Sequence, residues 1–240
     1  MCYRYLLQVE ALQALAERLE VICPAGWRSR YNLAPGEPIP VVRMRSAATA
    51  REVAMLRWGL VPGWARENDA ARAPANARAE SLADRPTFRD AYRHRRCLIP
   101  ASGFYEWQGR GRRRQPYLFR LRGEAAFGFA GLWEAWPDPA SGRKLETCAI
   151  ITTAPNELMR PIHDRMPAIL ALEDCGRWLD SRRVQPRELA PLLRPFPAEA
   201  MTATPLTNRV NNLRHDDPAC LEPAPALDRD GDPAQLSLGW

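Results

Sequence analysis

The sequence has few of the residues that build metal centres or disulfide frameworks. Three histidines are scattered along its 240 residues, and six cysteines lie far apart without a Cys-x-x-Cys motif: Cys2, Cys23, Cys97, Cys148, Cys175 and Cys220. Structural zinc sites and small disulfide-stapled domains both need closely spaced cysteines. We therefore expect no metal site and no disulfide framework, and the free thiols favour a reducing, cytoplasmic location.

A long apolar run is also missing. A membrane-spanning helix needs about 20 consecutive apolar residues, and no segment approaches that length. The opening stretch, residues 1–9, contains Arg4 and lacks the apolar run of a signal peptide. We therefore expect no membrane association and no secretion signal.

The length and composition fit one globular domain. With 46% hydrophobic residues, the chain can bury a substantial core. After about residue 222 the composition shifts to proline, aspartate and glycine. We predict a single domain over residues 1–222 and a disordered, acidic, Pro-rich tail over residues 223–240. Nothing in the sequence indicates a dimer seam, so we expect a monomer.

Lysine is almost absent, and arginine supplies the positive charge. Of the 34 basic residues only Lys144 is a lysine, and the net charge is +6. The segment from His215 onward carries −5, which leaves +11 on residues 1–214. That balance suits a surface that meets phosphate. An arginine-rich composition explains part of it, and the arginine clusters at 85–96 and 110–114 are also compatible with solvated faces.

Short strands outnumber helices in the hydrophobic pattern. Leucines at helical spacing predict a helix over Glu10–Val21, and two further helices are predicted over 173–181 and 186–193. Apolar and aromatic runs between Pro or Gly predict strands over 39–45, 52–58, 96–99, 103–107, 117–122, 125–133 and 147–153. Gly123 suggests a hairpin between two of them. Strands without regular βαβ alternation favour an α+β domain, built on a mainly antiparallel β-sheet or barrel-like core with flanking helices.

Cysteine at position two is the most informative residue. Aminopeptidases remove an initiator methionine before a small residue, so we expect the mature chain to begin at Cys2. Its amine and thiol would then lie on adjacent carbons, with reference pKa values of roughly 7.7–8.0 and about 8.5. The amine can attack an aldehyde to give an imine, and the thiol can close onto the same carbon as a thiazolidine. Chance occurrence of cysteine at this position is the alternative.

Two further segments place polar groups where packing does not need them. Asn76 and Arg78 lie in Ala75–Ser81, which the pattern favours as a capped helix start. Glu106 stands between aromatics in an apparent strand, and strand alternation puts it on the face of Phe104. A carboxylate beside aromatic surface tends to have a raised pKa and can act as general acid or base. The alternative is a glutamate on an edge strand that faces water.

One histidine and one loop are also candidates. His163 precedes the apolar run 168–171, where a strand entrance could hold a proton-transfer residue. A structural hydrogen-bonding role is the alternative. Trp64 lies in the loop after Trp58 and could stack on a nucleobase, although a core position is the default for tryptophan.

Together these segments resemble the SOS-response-associated peptidase (SRAP) family, whose members process abasic sites in DNA. The resemblance runs from Cys2 to about Glu222. It rests on the order of the motifs Met1-Cys2 with Arg4, Arg30-Tyr31-Asn32-Leu33-Ala34-Pro35, Trp58-Gly59-Leu60-Val61-Pro62, Asn76-Ala77-Arg78-Ala79-Glu80, Arg96-Cys97-Leu98-Ile99-Pro100-Ala101, Gly103-Phe104-Tyr105-Glu106-Trp107, Phe129-Ala130-Gly131-Leu132-Trp133-Glu134, His163-Asp164-Arg165-Met166-Pro167 and Val210-Asn211-Asn212.

The resemblance implies a role for four catalytic residues. Cys2 matches the family nucleophile, which forms a DNA–protein crosslink through the thiazolidine. Asn76 matches the asparagine that positions the terminal amine, and Glu106 the acid that shuttles protons during crosslink formation and release. His163 matches the histidine that protonates the sugar ring oxygen and so opens the abasic sugar to its aldehyde.

The resemblance also implies a DNA-binding surface. Arg4 and Arg78 match arginines that grip phosphates beside the lesion, and Trp64 falls in a loop whose aromatics wedge against bases. The family usually has glycine after the catalytic cysteine, whereas this chain has Tyr3. We expect activity to be retained, with Tyr3 narrowing the pocket or stacking on a neighbouring base.

The expected partner is single-stranded DNA with an abasic site, with no metal or organic cofactor. Associated lyase, crosslink-reversal and autoproteolytic activities are implied by the same resemblance. Two other functions stay open: a thiol peptidase that uses the N-terminal cysteine, and a non-catalytic module that binds single-stranded DNA through arginine and tryptophan.

Overall fold

The computed structural model describes residues 2–44, 50–66, 73–109, 111, 114–138, 142–180 and 185–225. Its strands are β1 (Tyr5–Leu7), β2 (Arg30–Leu33), β3 (Pro38–Met44), β4 (Arg51–Trp58), β5 (Asn76–Arg78), β6 (Arg96–Ala101), β7 (Gly103–Gln108), β8 (Gln115–Leu121), β9 (Phe127–Pro137), β10 (Lys144–Thr153), β11 (Met166–Pro167), β12 (Ile169–Leu170) and β13 (Met201–Pro205). The α-helices are α1 (Val9–Arg18), α2 (Pro86–His94), α3 (Leu172–Leu179) and α4 (Pro186–Leu189). The predicted helices and strands are present with bounds that differ by up to four residues, whereas α2, β2, β5, β11, β12 and β13 were not predicted.

Five strands of the larger sheet close into a barrel. β3 pairs with β4 and β6, β6 pairs with β9, and β9 pairs with β10, all antiparallel. Parallel pairing of β10 with β4 completes the ring. β5 also pairs with β10, while β11 and β12 add to the outside of the ring. The predicted α+β class with a barrel-like core and flanking helices is confirmed.

The alternation along β6 separates two cores. Cys97 and Ile99 belong to a cluster that includes Trp58 and Ile150, inside the barrel. Leu98, between them in sequence, packs with residues from α1, α2 and α3 on the outside. Successive side chains of a strand point to opposite faces, so one strand contributes to both cores and the helices cover the barrel's outer face.

The second sheet is antiparallel, in the order β13-β8-β7-β1-β2. One face adds Tyr5 and Phe104 to the barrel core, and the Tyr5 ring meets the Phe129 ring edge-on at 5.9 Å between centroids. The other face contributes Leu6 and Tyr105 to a third core, closed by residues 206–221. β1 and β7 therefore connect the barrel to the C-terminal segment.

The hairpin suggested at Gly123 is wrong. Gly123 has a φ of +72° and forms a turn, but the strands on either side belong to different sheets. β8 pairs with β7 and β13, whereas β9 pairs with β6, β10 and β12. A left-handed glycine marks a turn, but the turn here moves the chain from one sheet to the other.

Arg96 holds two helix ends together. Its guanidinium is 2% exposed and donates to the backbone carbonyls of Tyr92, Arg93, Trp178 and Asp180 at 2.6–3.1 Å. These carbonyls lie at the C-termini of α2 and α3, where helices lack internal donors. Burial lowers the Arg96 pKa to about 10. The reading of the 85–96 cluster as a solvated face is therefore wrong for this arginine.

The chain is held in place beyond the predicted end of the domain. Pro223 forms a β-bridge with Leu206, and the Ala224 amide donates to the Pro205 carbonyl at 2.9 Å. The rest of the predicted tail, residues 226–240, lies outside the described residues, as do Met1 and three of the arginines predicted as a cluster at 110–114. Within the described ranges no helix is both long and apolar enough to cross a membrane.

Candidate N-terminal cysteine site

Cys2 is fixed by a side-chain amide from a different sheet. Asn76 Nδ2 donates to the Cys2 carbonyl oxygen at 2.9 Å. Asn76 begins β5, which pairs with β10 at Ile150. The helix start favoured for Ala75–Ser81 is thus wrong: residues 76–78 form a strand and 79–81 a single 3₁₀ turn. Parallel pairing with a barrel strand is a long-range contact that local pattern does not reveal.

The side-chain oxygen of Asn76 is available to accept a second hydrogen bond. Asn76 Oδ1 is buried and has no hydrogen-bond partner among the described residues. A buried acceptor without a donor costs roughly 1–3 kcal/mol. After removal of Met1 the Cys2 nitrogen would be a primary amine, a donor of the kind that this acceptor lacks. Asn76 Nδ2 holds the Cys2 carbonyl, and Asn76 Oδ1 is left to accept from such a donor.

Glu106 is buried in the middle of a sheet. β7 lies between β1 and β8, with Glu106 opposite Tyr117, and the glutamate is only 3% exposed. The water-facing edge position is therefore wrong for this residue. Burial raises the Glu106 pKa to about 7, and the positive charge of the chain's amino terminus acts in the opposite direction. A carboxyl with a pKa near neutrality can both accept and donate a proton.

The environment of Cys2 favours the protonated thiol over the thiolate. The residue is fully buried, and burial raises the thiol pKa well above its ordinary value. The negative charge of Glu106 raises it further. The nearest backbone acceptor is the Arg4 carbonyl, 3.8 Å from Sγ. At neutral pH the thiol is protonated, so it needs a base before it can act as a nucleophile.

His163 presents one defined face of its ring. The Arg165 backbone N–H donates to His163 Nδ1 at 3.0 Å, and an Asp164 carboxylate oxygen lies 3.0 Å from the same atom. The backbone N–H requires Nδ1 to accept a hydrogen bond, whereas the carboxylate requires Nδ1 to carry a proton. The backbone N–H can only donate, and Asp164 is 88% exposed, so we assign Nδ1 as the acceptor and the ring proton to Nε2. Burial lowers the His163 pKa, which keeps the ring neutral near pH 7.

An ion pair joins the histidine loop to the asparagine strand. Arg165 Nη1 and Nη2 contact the two carboxylate oxygens of Glu80 at 2.7 and 2.9 Å, and Nη2 also donates to the Thr152 carbonyl at 2.6 Å. Sequence reasoning gave neither residue a role, although both stood inside motifs that carried the family resemblance. Arg165 lies two residues after His163, and Glu80 lies four residues after Asn76. Their ion pair therefore joins the segment that carries His163 to the segment that carries Asn76.

The predicted DNA-binding residues differ in exposure. Trp64 is 63% exposed and Tyr3 43% exposed, which rules out a core position for Trp64. Arg78 is exposed at the end of β5. Arg4 is half-buried, and its Nη1 donates to Asn32 Oδ1 at 2.7 Å and to the Val210 carbonyl at 3.1 Å.

Asn32 connects Arg4 to the 210–215 loop, a role that the sequence did not predict. It is 2% exposed, and Nδ2 donates to the carbonyls of Val210, Asn212 and His215 at 2.8–3.2 Å. Its Oδ1 accepts from Arg4. One buried amide thus ties β2 and the arginine to the 210–215 loop. The signal was the presence of two unexplained asparagine-containing motifs, 30–35 and 210–212, far apart in sequence.

The fold and the site define a class: a single-domain α+β protein in which a cysteine near the chain terminus is held by an asparagine and feels the charge of a buried glutamate. The charge of the amino terminus also acts on the pKa of His163. The family model described as "SOS response associated peptidase (SRAP)" matches residues 1–213. The chain belongs to the SRAP family. Within the described residues, no three His, Cys, Asp or Glu side chains are grouped to hold a metal ion.

Relatives support the family across the whole length. The chain is 37% identical to the abasic site processing protein YoqW of Bacillus subtilis over 225 residues, covering 92% of this chain and 99% of that protein. It is 34% identical to the abasic site processing protein HMCES of Gallus gallus, covering 82% of this chain and 67% of that protein. An X-ray structure of a protein from Bacteroides thetaiotaomicron superposes with a TM-score of 0.83 at 28% identity, over 93% of this chain and all of that one.

Proposed function

We propose that this protein processes abasic sites in DNA and captures them covalently through Cys2. The observation that carries the proposal is the Asn76 amide on the Cys2 carbonyl, together with the raised pKa of Glu106. Two relatives of high coverage are named abasic site processing proteins, which supports the same substrate class. The target is the aldehyde that an abasic deoxyribose exposes when its ring opens, in a single strand of DNA.

The chemistry balances without a metal, an oxidant or an organic cofactor. Removal of Met1, by an aminopeptidase or by the protein itself, makes the Cys2 nitrogen a primary amine. The amine adds to the aldehyde carbon, and the carbinolamine loses one water to give an imine. The thiol then adds across the C=N bond: sulfur bonds to carbon and the proton returns to nitrogen. The product is a thiazolidine, and the net loss is one water.

Glu106 carries protons between the groups that react during imine and thiazolidine formation. With a pKa of about 7, it can take the proton from the amine or the thiol and give it to the departing hydroxyl. General acid–base help of this kind contributes about 10²–10⁴-fold. The same exchanges in reverse would release the crosslink, and an imine that persists can lead to strand cleavage, which is the lyase side of the activity.

His163 opens the sugar. An abasic deoxyribose is mostly a closed hemiacetal, and its ring oxygen must gain a proton before the aldehyde is exposed. A neutral imidazole with its proton on Nε2 can donate a hydrogen bond to the ring oxygen and stabilise the negative charge that develops there as the ring opens, while the proton lost by the hemiacetal hydroxyl reaches that oxygen through solvent. The hydrogen bond from the Arg165 amide to Nδ1 fixes the ring plane, and the Glu80–Arg165 pair holds the loop.

The DNA is held by charge and stacking around the site. Arg4 and Arg78 bind phosphates beside the lesion without reading sequence, as suits a site that has no base to read. Trp64 stacks on a neighbouring base from its exposed loop. Tyr3, exposed beside the cysteine, stacks on the other side or narrows the entrance in place of the usual glycine.

The thiol peptidase is the weaker reading. A cysteine peptidase works through a thiolate whose pKa is lowered by a neighbouring cation. Burial and Glu106 both raise the pKa of the Cys2 thiol instead. An amine that attacks first has no need of a thiolate, so the same environment suits imine formation followed by ring closure.

A denaturing gel tests the proposal. The purified protein is incubated with a single-stranded oligonucleotide that contains one abasic site, alongside Cys2→Ser, Cys2→Ala and a wild-type protein whose terminal amine is acetylated. A heat-stable shifted band is expected for the wild type alone. A band from the acetylated protein would point to a thiol-only mechanism, and equal non-covalent binding with no stable band would favour a simple DNA-binding module.

A further inference from the structure

Two arginines lie over the same tryptophan beside the proposed site. The guanidinium carbon of Arg4 is 5.8 Å from the centre of the Trp107 ring, and that of Arg114 is 5.1 Å from it. The two carbons are therefore within about 11 Å of each other. Trp107 Nε1 donates to Asn211 Oδ1 at 2.6 Å, which fixes the plane of the indole.

Neither arginine is neutralised by a carboxylate. The acceptors that Arg4 meets, the Asn32 amide oxygen and the Val210 carbonyl, are both neutral. Among the described residues, neither Arg4 nor Arg114 forms an ion pair. Burial lowers the pKa of Arg4, and the positive charge of Arg114 lowers it further. The negative charge of Glu37, which pairs with Arg30, acts on the pKa of Arg4 in the opposite direction. The two cations repel each other, and an anion bound between them would relieve the repulsion.

The Arg4 guanidinium is oriented and still has donors left. Nη1 is used by Asn32 and Val210, while Nε and Nη2 donate to no described residue. Arg114 is exposed and lies where the loop after β7 returns to β8, across from Gly109. A planar guanidinium with free donors next to a second cation is a geometry that matches the oxygens of a phosphate.

We propose that Arg114 and Arg4 together bind one backbone phosphate of the DNA strand, the phosphate nearest the lesion. The indole of Trp107, held by Asn211, positions both guanidinium groups through cation–π contacts. The proposal rests on the function proposed above and extends it, because Arg114 is not among the residues that the family resemblance assigned. Arg4 is two residues from Cys2, and two extended residues span about 6.6 Å. Trp107 follows Glu106 in β7 and points to the opposite face of that strand, so Arg4 alone ties the cation pair to Cys2. The bound phosphate is therefore one that flanks the abasic nucleotide.

A merely structural role predicts something different. Arginine stacked on tryptophan stabilises a hairpin through a cation–π contact, with no effect on DNA. A phosphate ligand instead releases a counterion on binding, so its loss changes the salt dependence of affinity by about 0.7 per contact for a single strand. The slope of log K against log salt separates the two roles.

The experiment measures fluorescence anisotropy of an undamaged, labelled single-stranded oligonucleotide over a range of salt concentrations. Wild type is compared with Arg114→Gln, Arg114→Lys and the control Arg93→Gln. Arg93 is an exposed arginine on α2, so the control removes the same charge at a site remote from the proposed contact. Crosslinking to an abasic strand is measured on the same preparations at saturating DNA.

Arg114→Gln is expected to weaken binding several-fold and to make the salt slope less steep by about 0.7. Arg114→Lys and Arg93→Gln should keep the wild-type slope, and Arg93→Gln should also crosslink at the wild-type rate. An unchanged slope in Arg114→Gln, with normal crosslinking by wild type, would overturn this inference alone. A changed slope with no crosslink from wild type would leave the phosphate site standing and overturn the covalent function.

Discussion

The side-chain amide of Asn76 donates a 2.9 Å hydrogen bond to the backbone carbonyl of Cys2. This bond crosses from a strand attached to the barrel to the segment that enters the second sheet. Cys2 is therefore buried and hydrogen-bonded, although the first residues of most chains are poorly ordered. A nucleophile at the chain end needs such an anchor to meet its substrate in one geometry.

Replacement of Asn76 by aspartate should disable the site while leaving DNA binding intact. The donor to the Cys2 carbonyl becomes a carboxylate oxygen, which repels it. We expect crosslink formation to slow by about 10²-fold, with little change in affinity for undamaged single-stranded DNA. Gln13→Glu, which makes the same charge change on the exposed face of α1, should crosslink normally. Equal rates for the two variants would remove Asn76 from the mechanism.

Glu106→Gln should be inactive and, at alkaline pH, more stable than wild type. Burial raises the Glu106 pKa to about 7, so the folded protein keeps a proton that the unfolded chain releases. Stability therefore falls as pH rises from about 4.5 to about 7. Glutamine abolishes that loss, worth up to about 3 kcal/mol near pH 8 and less than about 1 kcal/mol near pH 5. Urea unfolding at the two pH values measures the difference.

Glu134→Gln is the matched control for this experiment. Glu134 is also buried, but it pairs with Arg95 and accepts from the Gly63 amide at 3.3 Å. Its removal should destabilise the protein, the opposite sign to Glu106→Gln. A Glu106→Gln protein that is less stable than wild type at both pH values would show that the carboxylate is a structural group.

The defect of a His163 variant should depend on the form of the aldehyde. If His163 opens the sugar ring, His163→Gln should slow capture of an ordinary abasic site by about 10²-fold. A strand that ends in an open-chain aldehyde, made by β-elimination at an abasic site, needs no ring opening and should be captured at the wild-type rate. Quantified crosslink time courses with both strands decide this. A similar defect on the two strands would assign His163 to another step.

Arg96→Met should unfold the protein far more easily than a surface substitution. Four helix-end carbonyls lose their donor, and each buried acceptor left unpaired is costly. We expect a loss of roughly 3 kcal/mol in the free energy of unfolding. Arg93→Met, three residues away and exposed, should stay within about 0.5 kcal/mol of wild type. Urea denaturation of the three proteins gives the comparison.

Much of the fold could be predicted because it is local in sequence. Strands such as β3 and β4 and the helix after β1 follow directly from hydrophobic period and Pro or Gly boundaries. The failures at Gly123 and Asn76 have one cause. In both cases the local pattern was correct about a turn or a polar group, but pairing with a distant strand decided what the residues did.

The sequence predicted which residues belong to the site, but it did not predict the contacts that hold them in place. Cys2 and Glu106 carried a chemical signal of their own, an adjacent amine and thiol and a carboxylate among aromatics. The burial that raises the Glu106 pKa depends on β7 lying between β1 and β8, which sequence alone does not give. Asn32 and Arg165 carry no chemical signal of this kind, because their roles depend on contacts with distant residues, such as His215 for Asn32 and Glu80 for Arg165.

The intact mass of the species formed from wild-type protein and an abasic single strand tests covalent capture at Cys2. We expect a single product whose mass is that of the chain without Met1 plus the oligonucleotide minus one water, absent from Cys2→Ala. That mass, resistant to heating and to borohydride, identifies a thiazolidine at Cys2. A product that retains Met1, or the same product from Cys2→Ala, would contradict the central claim.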